Sequence, residues 1–282
     1  MIRTVKKIVT GTTQYDGAGV KLVRVLSNAT IEDFDPFLML DAFDSTDPAD
    51  YVKGFPWHPH RGIETVTYLV HGDIEHGDSL GNSGSILDGC CQWMTAGGGI
   101  IHQEMPQASK RMLGTQLWLN LPAKDKMTTP QYGDIEAENV PVIRSGGSVV
   151  KVISGDYQGT PGAFQGRYVD MIFLDVELEP GSEWQFAVDP EFTLFVYIMA
   201  GAAFFPAGTD ETAEIEIPEK RAVLTNHGET FTVRTGESKV HFLLYAGLPL
   251  HEPVAWGGPI VMNTREELRQ AFRDIDEGTF IR

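Results

Sequence analysis

Two pairs of metal-ligand side chains stand out in the sequence, each with one residue between its members. His58 and His60 flank Pro59, and His102 and Glu104 follow a run of three glycines. Side chains two residues apart on an extended chain point to the same face, and a proline keeps the residue before it out of the helical region. If the two strands lie side by side, three imidazoles and one carboxylate converge. That is a ligand set for a divalent transition metal.

A second carboxylate near the first pair, Glu64, is an alternative to Glu104, and the residues alone leave this choice open. Either set leaves one or two open positions on a divalent metal. Such a site can hold a chelating oxygen substrate, dioxygen or both. Trp93, Met94 and Trp118 are candidates for the walls of the pocket, although core packing is the commoner role of such side chains.

The composition narrows the class of protein. A chain of 282 residues suits one large domain or two of about 140 residues. The formal net charge of −17 repels a phosphate backbone, so we expect no direct binding to nucleic acid, whereas a basic protein partner is compatible with it. No apolar run approaches the length of a membrane span, and the N-terminus lacks the apolar core of a signal peptide. We therefore expect a cytoplasmic protein without a membrane segment.

The two cysteines, Cys90 and Cys91, are adjacent. On a strand they point to opposite faces, so we expect no disulfide between them. This agrees with a reducing compartment.

Short β-type segments joined by turns run through the whole chain. The clearest are residues 65–70, 116–121 and 149–153, and residues 35–43 form an apolar run bounded by acidic residues. Turn signals at this close spacing predict an all-β sandwich or barrel.

The second half of the chain is interpreted as a degenerate copy of the first. The segment that ends at Gly201 resembles the one that ends at Gly72, and Thr225 is set against Thr95 in the same way. The residues opposite the candidate ligands, Glu64 included, are then Ala187, Asp189, Thr193, Thr232 and Arg234. We therefore expect two similar β-barrels, of which only the first binds metal.

The pattern at the end of the chain predicts a helix. Residues 264–267 have the form of a capping box. Leu268, Phe272 and Ile275 then follow at the spacing of one helix face, and Gly278 is the expected end of the helix. We expect this helix to pack across a barrel.

The ligand motifs and their surroundings resemble the cupin superfamily and, more narrowly, the pirin family. The matching segments are residues 36–41, 58–68, 92–97, 99–102, 116–124 and 258–264. The resemblance implies an all-β fold of two cupin (jelly-roll-like) β-barrels in tandem with a C-terminal helix. It places a metal-binding domain at residues 1–135, followed at 136–282 by a domain that lacks metal ligands and ends in the helix.

The resemblance also implies a ligand set and a metal. The pirin ligands correspond to His58, His60, His102 and Glu104, whereas in many other cupins the carboxylate ligand corresponds to Glu64. We follow the closer family, which leaves Glu64 a supporting role. The implied metal is Fe²⁺, and copper, nickel, cobalt, manganese or zinc can occupy such a site.

Pirins resemble quercetin 2,3-dioxygenases, which open a flavonol ring with dioxygen and release carbon monoxide. On this basis we expect a dioxygenase acting on a flavonol-like small molecule, with Glu104 as the catalytic residue that takes the hydroxyl proton. The alternative is a non-enzymatic regulator of the transcriptional co-regulator type, in which the redox state of the metal controls binding of a protein partner. A third reading is a cupin that acts on another small chelating molecule. We expect the protein to be a monomer. If its source is eukaryotic, a nuclear location is an alternative to the cytoplasmic one.

Overall fold

Strands dominate the protein, which a computed structural model describes over residues 1–208 and 213–281. Within these two ranges the strands are β1 (Val5–Thr10), β2 (Thr12–Asp16), β3 (Val20–Leu26), β4 (Phe37–Ser45), β5 (Phe55–His60), β6 (Ile63–His71), β7 (Ile74–Asp78), β8 (Ser83–Ile86), β9 (Cys91–Thr95), β10 (Ile100–Pro106), β11 (Met112–Asn120), β12 (Gln131–Ile135), β13 (Val142–Ser145), β14 (Ser148–Ser154), β15 (Asp156–Tyr157), β16 (Thr160–Pro161), β17 (Met171–Leu178), β18 (Glu183–Ala187), β19 (Thr193–Ala200), β20 (Ala202–Pro206), β21 (Glu214–Pro218), β22 (Arg221–Thr225), β23 (Thr230–Thr235), β24 (Val240–Gly247), β25 (Ala255–Gly257) and β26 (Ile260–Met262). The all-β expectation is confirmed.

Helices are few. The α-helices in the described ranges are α1 (Ile31–Phe34) and α2 (Arg265–Asp276), and the 3₁₀ helices are Asn28–Thr30, Pro48–Asp50, Ala123–Asp125 and Ala137–Asn139. None of these helices is long and apolar enough to cross a membrane.

The chain divides into two compact units. The first, which we call the histidine barrel, comprises Thr12–Ala137 and Leu250–Arg282. The second barrel comprises Met1–Gly11 and Glu138–Pro249. The internal boundary lies within two residues of the expected one at 135/136, but the two ends of the chain differ from the expected division.

Strand pairing explains the difference at the N-terminus. Residues 5–10 form β1, which pairs antiparallel with β22 and so closes one edge of the second barrel. Segment Leu250–Arg282, with α2, belongs instead to the histidine barrel, where Val261 N donates to Arg61 O. Neither pairing has a local signal, because each joins residues about 200 positions apart.

The histidine barrel is built from a seven-stranded and a four-stranded sheet. Their orders are β12-β9-β6-β11-β4-β3-β2 and β5-β10-β7-β8. Along β10, residues alternate between buried and partly exposed, so His102 and Glu104 both face inward while Gln103 faces out. The same-face placement of residues two apart, which was predicted for each ligand pair, is therefore present on β10.

The second barrel repeats this plan strand for strand. Its sheets have the orders β1-β22-β19-β24-β17-β14-β13 and β18-β23-β20-β21. Gly72 and Gly201 each follow the corresponding strands, β6 and β19, and both have a positive φ. The predicted internal repeat is confirmed in the strand order.

The predicted alignment of the repeat is wrong by one residue along β23. Thr232 and Arg234 were set against His102 and Glu104, but the most buried positions of β23 are Phe231, Val233 and Thr235, each 1% exposed. A slip of one residue moves every side chain of a strand to the other face. Aromatic and aliphatic side chains fill this interior, so the conclusion that this barrel lacks inward-facing ligands on β23 is unchanged.

Helix α2 begins as expected, and Leu268 and Ile275 of the predicted face pack against the core. Thr264 and Glu267 form the capping box, and Gly278 has the positive φ of a helix stop. Phe272, expected on the buried face, is 40% exposed. The fully buried residues of the helix are Ala271 and Asp274. Asp274 points inward because it forms an ion pair with an arginine of the barrel.

Candidate metal centre

The two ligand pairs lie on neighbouring antiparallel strands of the four-stranded sheet. His58 on β5 is the direct partner of His102 on β10. The nearest ligand atoms of His58, His60 and His102 all lie within 4.8 Å of one another. The predicted convergence of the three imidazoles is therefore present, and it follows from the register of two strands.

Backbone carbonyls fix the orientation of two of the rings. His58 Nδ1 lies 2.9 Å from Pro56 O, and His60 Nδ1 lies 3.2 Å from Pro259 O. A carbonyl oxygen only accepts, so each Nδ1 carries the hydrogen and each Nε2 of a neutral ring carries a lone pair. The two Nε2 atoms are 3.1 Å apart. Two lone pairs at that distance repel each other, and a cation bound to both relieves the repulsion.

The electrostatic environment favours the neutral form of two of the three imidazoles. Burial, together with the neighbouring histidines, holds the pKa of His60 and of His102 well below the usual range. Over the described ranges, neither ring nitrogen of His102 has a hydrogen-bond partner, although the residue is 1% exposed. Neutral imidazole is the form that ligates metals, so this donor set fits a divalent cation.

Glu104 lies beside the cluster rather than within it. Its Oε2 is 4.0 Å from His102 Nε2. Gln116 Nε2 donates to both carboxylate oxygens, at 2.7 Å and 3.0 Å, and Thr67 Oγ1 lies 3.4 Å from Oε1. A bulge after His102 sets Glu104 opposite Phe55. The carboxylate is thus oriented by the opposite sheet.

Glu64 occupies a different environment. It lies on β6 and is 1% exposed, and Thr95 Oγ1 donates to its Oε1 at 2.6 Å. Burial raises the pKa of Glu64 to about 7, against a smaller lowering by hydrogen bonds from Thr95 and Trp93. Glu104, but not Glu64, contributes to the wall of the cavity next to the histidines.

A cavity of about 420 Å³ opens beside the cluster. Its walls combine metal-ligand, aromatic and charged residues, which are Asp16, Gly17, Arg24, Met39, Asp41, Phe55, Pro56, His58, His60, Glu104, Gln116, Trp118, Trp256, Gly258 and Pro259. Of the three predicted wall residues, Trp118 lines the cavity. Trp93 and Met94 are core residues at 1% and 0% exposure.

Sequence reasoning missed a charged group on this wall. Arg24 donates from Nε to Asp41 Oδ1 at 2.9 Å and from Nη2 to Asp41 Oδ2 at 2.7 Å, and Nη2 also lies 2.7 Å from Asp16 Oδ2. Arg24 and Asp41 are cross-strand partners on β3 and β4. A charged residue in the middle of the mostly apolar strand β4 was the signal that could have found Asp41.

The C-terminal segment supplies the remaining missed residues. Trp256 lies next to Trp118, with ring centroids 5.8 Å apart, and Gly258 and Pro259 complete that wall. Pro259 also accepts the hydrogen bond from His60 described above. Some 200 residues separate these positions from His58, so no local pattern connects them.

Comparison with known proteins finds family matches in both halves of the chain. The family model described as Pirin matches residues 19–119, and the model described as Pirin C-terminal cupin domain matches residues 173–281. A pirin-like protein of Caulobacter vibrioides is 44% identical over 282 residues, covering 99% of both chains. A Pseudomonas aeruginosa protein, named provisionally as a quercetin 2,3-dioxygenase, is 43% identical over 98% of this chain and 97% of its own.

A solved structure extends the likeness to three dimensions. The crystal structure of a quercetin 2,3-dioxygenase from Acinetobacter baumannii matches with a TM-score of 0.89 and 31% identity, over 99% of each chain. The fold described above is therefore shared by a protein whose name states that reaction.

Proposed function

This chain belongs to the pirin family, and from that premise we propose that it is a metal-dependent dioxygenase of the quercetin 2,3-dioxygenase type. The proposed substrates are dioxygen and a flavonol-like small molecule with adjacent oxygen atoms. The observation that carries the proposal is the close approach of two Nε2 atoms, 3.1 Å apart, inside a three-histidine cluster whose Nδ1 atoms on His58 and His60 face backbone carbonyls. The names of the relatives point to the same reaction class.

We assign the metal to His58, His60, His102 and Glu104, with Fe²⁺ as the first choice. When bound, the metal supplies a Lewis acid that can take a chelating oxygen and dioxygen together. Three neutral imidazoles and one carboxylate leave a net positive charge on a divalent ion, which favours an anionic oxygen of the substrate.

Glu104 is proposed to accept the proton of the flavonol hydroxyl. Its carboxylate lies on the cavity wall, and the amide of Gln116 holds both oxygens in place. A general base must lie within hydrogen-bond reach of the proton that it removes. The position of Glu104 beside the cluster and on the cavity wall supports this role.

The cavity walls suit a planar aromatic substrate. Trp118 and Trp256 provide flat apolar surfaces, and Met39 and Phe55 add further apolar contact. Aromatic side chains favour offset or edge contacts with other rings, worth about 0.5–1.5 kcal/mol beyond burial. The Arg24–Asp41–Asp16 group gives the same cavity a polar wall.

The proposal is tested by quercetin turnover. Apoprotein is loaded in separate samples with iron, copper, nickel or cobalt, and the loss of quercetin absorbance under dioxygen is followed. We expect turnover with at least one metal, together with release of carbon monoxide. His58→Ala removes one ligand and should abolish turnover, whereas His71→Ala, on the exposed end of β6, should leave it unchanged. Metal-loaded protein that leaves quercetin and related flavonols intact would overturn the assignment and favour another chelating substrate.

A further inference from the structure

His102 differs from the other two histidines of the cluster at its outer ring nitrogen. His58 and His60 each direct Nδ1 at a backbone carbonyl, of Pro56 and Pro259 respectively. His102 Nδ1 is buried and makes no hydrogen bond with any described residue. A buried donor without a partner is destabilising. Metal-ligating histidines almost always donate this second N–H, so a partner for it is to be expected.

His76 lies where such a partner can be provided. It is the direct cross-strand partner of Glu104, with β7 beside β10, and it is 7% exposed. His102 stands two residues before Glu104 on the same inward face, which makes His76 its diagonal neighbour. Aromatic side chains reach across that diagonal.

Gln92 determines which nitrogen of His76 carries the hydrogen. Its Nε2 lies 2.8 Å from His76 Nε2 and 3.1 Å from Asp134 Oδ1. A carboxylate only accepts, so the amide group donates to both, and His76 Nε2 is an acceptor. The hydrogen of the neutral ring is then on Nδ1. This second N–H is also buried, and it too finds no acceptor in the ranges that the structure describes.

Two diagonal neighbours thus each carry a buried N–H group without a partner, and neither group can accept from the other. We propose that one ordered water accepts hydrogen bonds from His102 Nδ1 and His76 Nδ1, which makes His76 a positioning residue for the third metal ligand. The Tyr132 hydroxyl, a third buried polar atom that no described residue satisfies, can accept a hydrogen of that water. Buried waters typically make about three hydrogen bonds.

The packing around His76 holds its ring in this orientation. The ring stacks on Tyr132 with centroids 5.8 Å apart. Gly84 is the cross-strand partner of His76, and an added Cβ there would lie only 2.8 Å from His76 Nε2. The ring is therefore packed closely against both Gly84 and Tyr132. His76 is not a member of the metal-ligand cluster, so its influence on the metal passes through the water and His102.

The inference rests on the proposed metal centre and is tested by metal affinity. The dissociation constant for Zn²⁺ is measured on apoprotein by competition with a chromophoric chelator. His76→Phe keeps the ring stacking but removes the donor, and we expect it to weaken binding about 10–100-fold, the usual effect of losing an outer partner of a ligating histidine. His76→Asn restores an N–H at the Nδ1 position and should recover most of the affinity. His71→Phe on the same barrel is the matched control and should bind like the wild type.

The outcomes separate this inference from the proposed function. If the wild type binds no metal, the metal centre itself is wrong. If the wild type binds Zn²⁺ and folded His76→Phe binds it equally well, only the role of His76 is wrong. If His76→Asn binds as weakly as His76→Phe, the loss is one of packing and the water link is refuted.

A measurement on the wild type covers the case in which His76→Phe does not fold. In the Zn²⁺-loaded protein, long-range ¹H–¹⁵N correlation spectra report the tautomer of each histidine ring. We expect Nδ1–H on both His76 and His102. An Nε2–H tautomer at His76 would contradict the proposal, because that ring would then offer no hydrogen to the water.

Discussion

Glu104 and Glu64 are both buried carboxylates of the histidine barrel, but their contacts suit different roles. Glu104 lines the cavity, 4.0 Å from His102 Nε2, and is oriented by an amide that leaves lone pairs free. Glu64 is hydrogen-bonded to Thr95 inside the seven-stranded sheet, and burial raises its pKa to about 7. These contacts support the choice of Glu104 as the proposed ligand.

Charge-removing variants of the two carboxylates separate the roles. Glu104→Gln should weaken Zn²⁺ binding by more than the 10–100-fold typical of outer partners, because an anionic ligand is lost. Glu64→Gln should change it by less than about threefold, or roughly 0.6 kcal/mol. Competition titration of both variants checks this. The opposite order of effects would identify Glu64 as the ligand.

The raised pKa of Glu64 also predicts a pH dependence in the apoprotein. The folded state holds the proton up to a pKa of about 7, above the 4.5 of the free group, so it binds more protons than the unfolded state between these values. Stability must then fall as pH rises through this window. Relative to Glu64→Gln, the wild type should lose about 2 kcal/mol of unfolding free energy between pH 5 and pH 8. Urea denaturation at both pH values measures it, and a pH-independent difference would show an ionised native Glu64.

At the scale of elements, the C-terminal segment is bound to the histidine barrel through buried polar contacts. Arg61 donates from Nη1 to Asp274 Oδ2 at 2.6 Å, from Nη2 to Phe280 O at 3.1 Å and from Nε to Gly98 O at 2.7 Å. The side chain of Arg61 is 2% exposed and that of Asp274 is 5% exposed. These contacts hold in place the segment that supplies Trp256 and Pro259 to the site.

Asp274→Ala should therefore lower the free energy of unfolding strongly. It leaves the Arg61 guanidinium buried with one hydrogen-bond partner missing, and breaking a buried pair in this way costs about 3–5 kcal/mol. Asp276→Ala, an exposed acidic residue on the same helix, is the matched control and should change stability by less than about 0.5 kcal/mol. Urea unfolding of both variants gives the comparison. Equal effects would mean that the buried ion pair does not anchor α2.

The sequence predicts well those features that depend on neighbouring residues. The alternation on β5 and β10 placed the histidines on one face, and the capping box placed the start of α2. Features that depend on distant strands were not accessible: the pairing of β1 with β22, the inward turn of Asp274, and the arrival of Trp256 and Pro259 at the cavity. The one-residue slip at β23 has the same cause, because an alignment by glycines and threonines does not detect which face of a strand is buried.

At the scale of the whole molecule, two barrels of the same strand order have different interiors. The histidine barrel places polar side chains at its centre, whereas β18 and β23 of the second barrel direct Trp184, Phe186 and Phe231 inward. Filling the same space with aromatic rings stabilises a barrel by burial, whereas histidines and carboxylates there are costly without a ligand. We therefore expect one metal ion for each chain.

The central claim is that His58, His60, His102 and Glu104 hold this single metal, and anomalous diffraction at the metal absorption edge tests it most directly. Crystals of the iron- or zinc-loaded protein should give one strong anomalous peak per chain, about 2.1 Å from the Nε2 atoms of the three histidines and from a Glu104 oxygen. A peak bound by Glu64, a peak in the second barrel, or a loaded protein with no peak at the histidines would contradict the account.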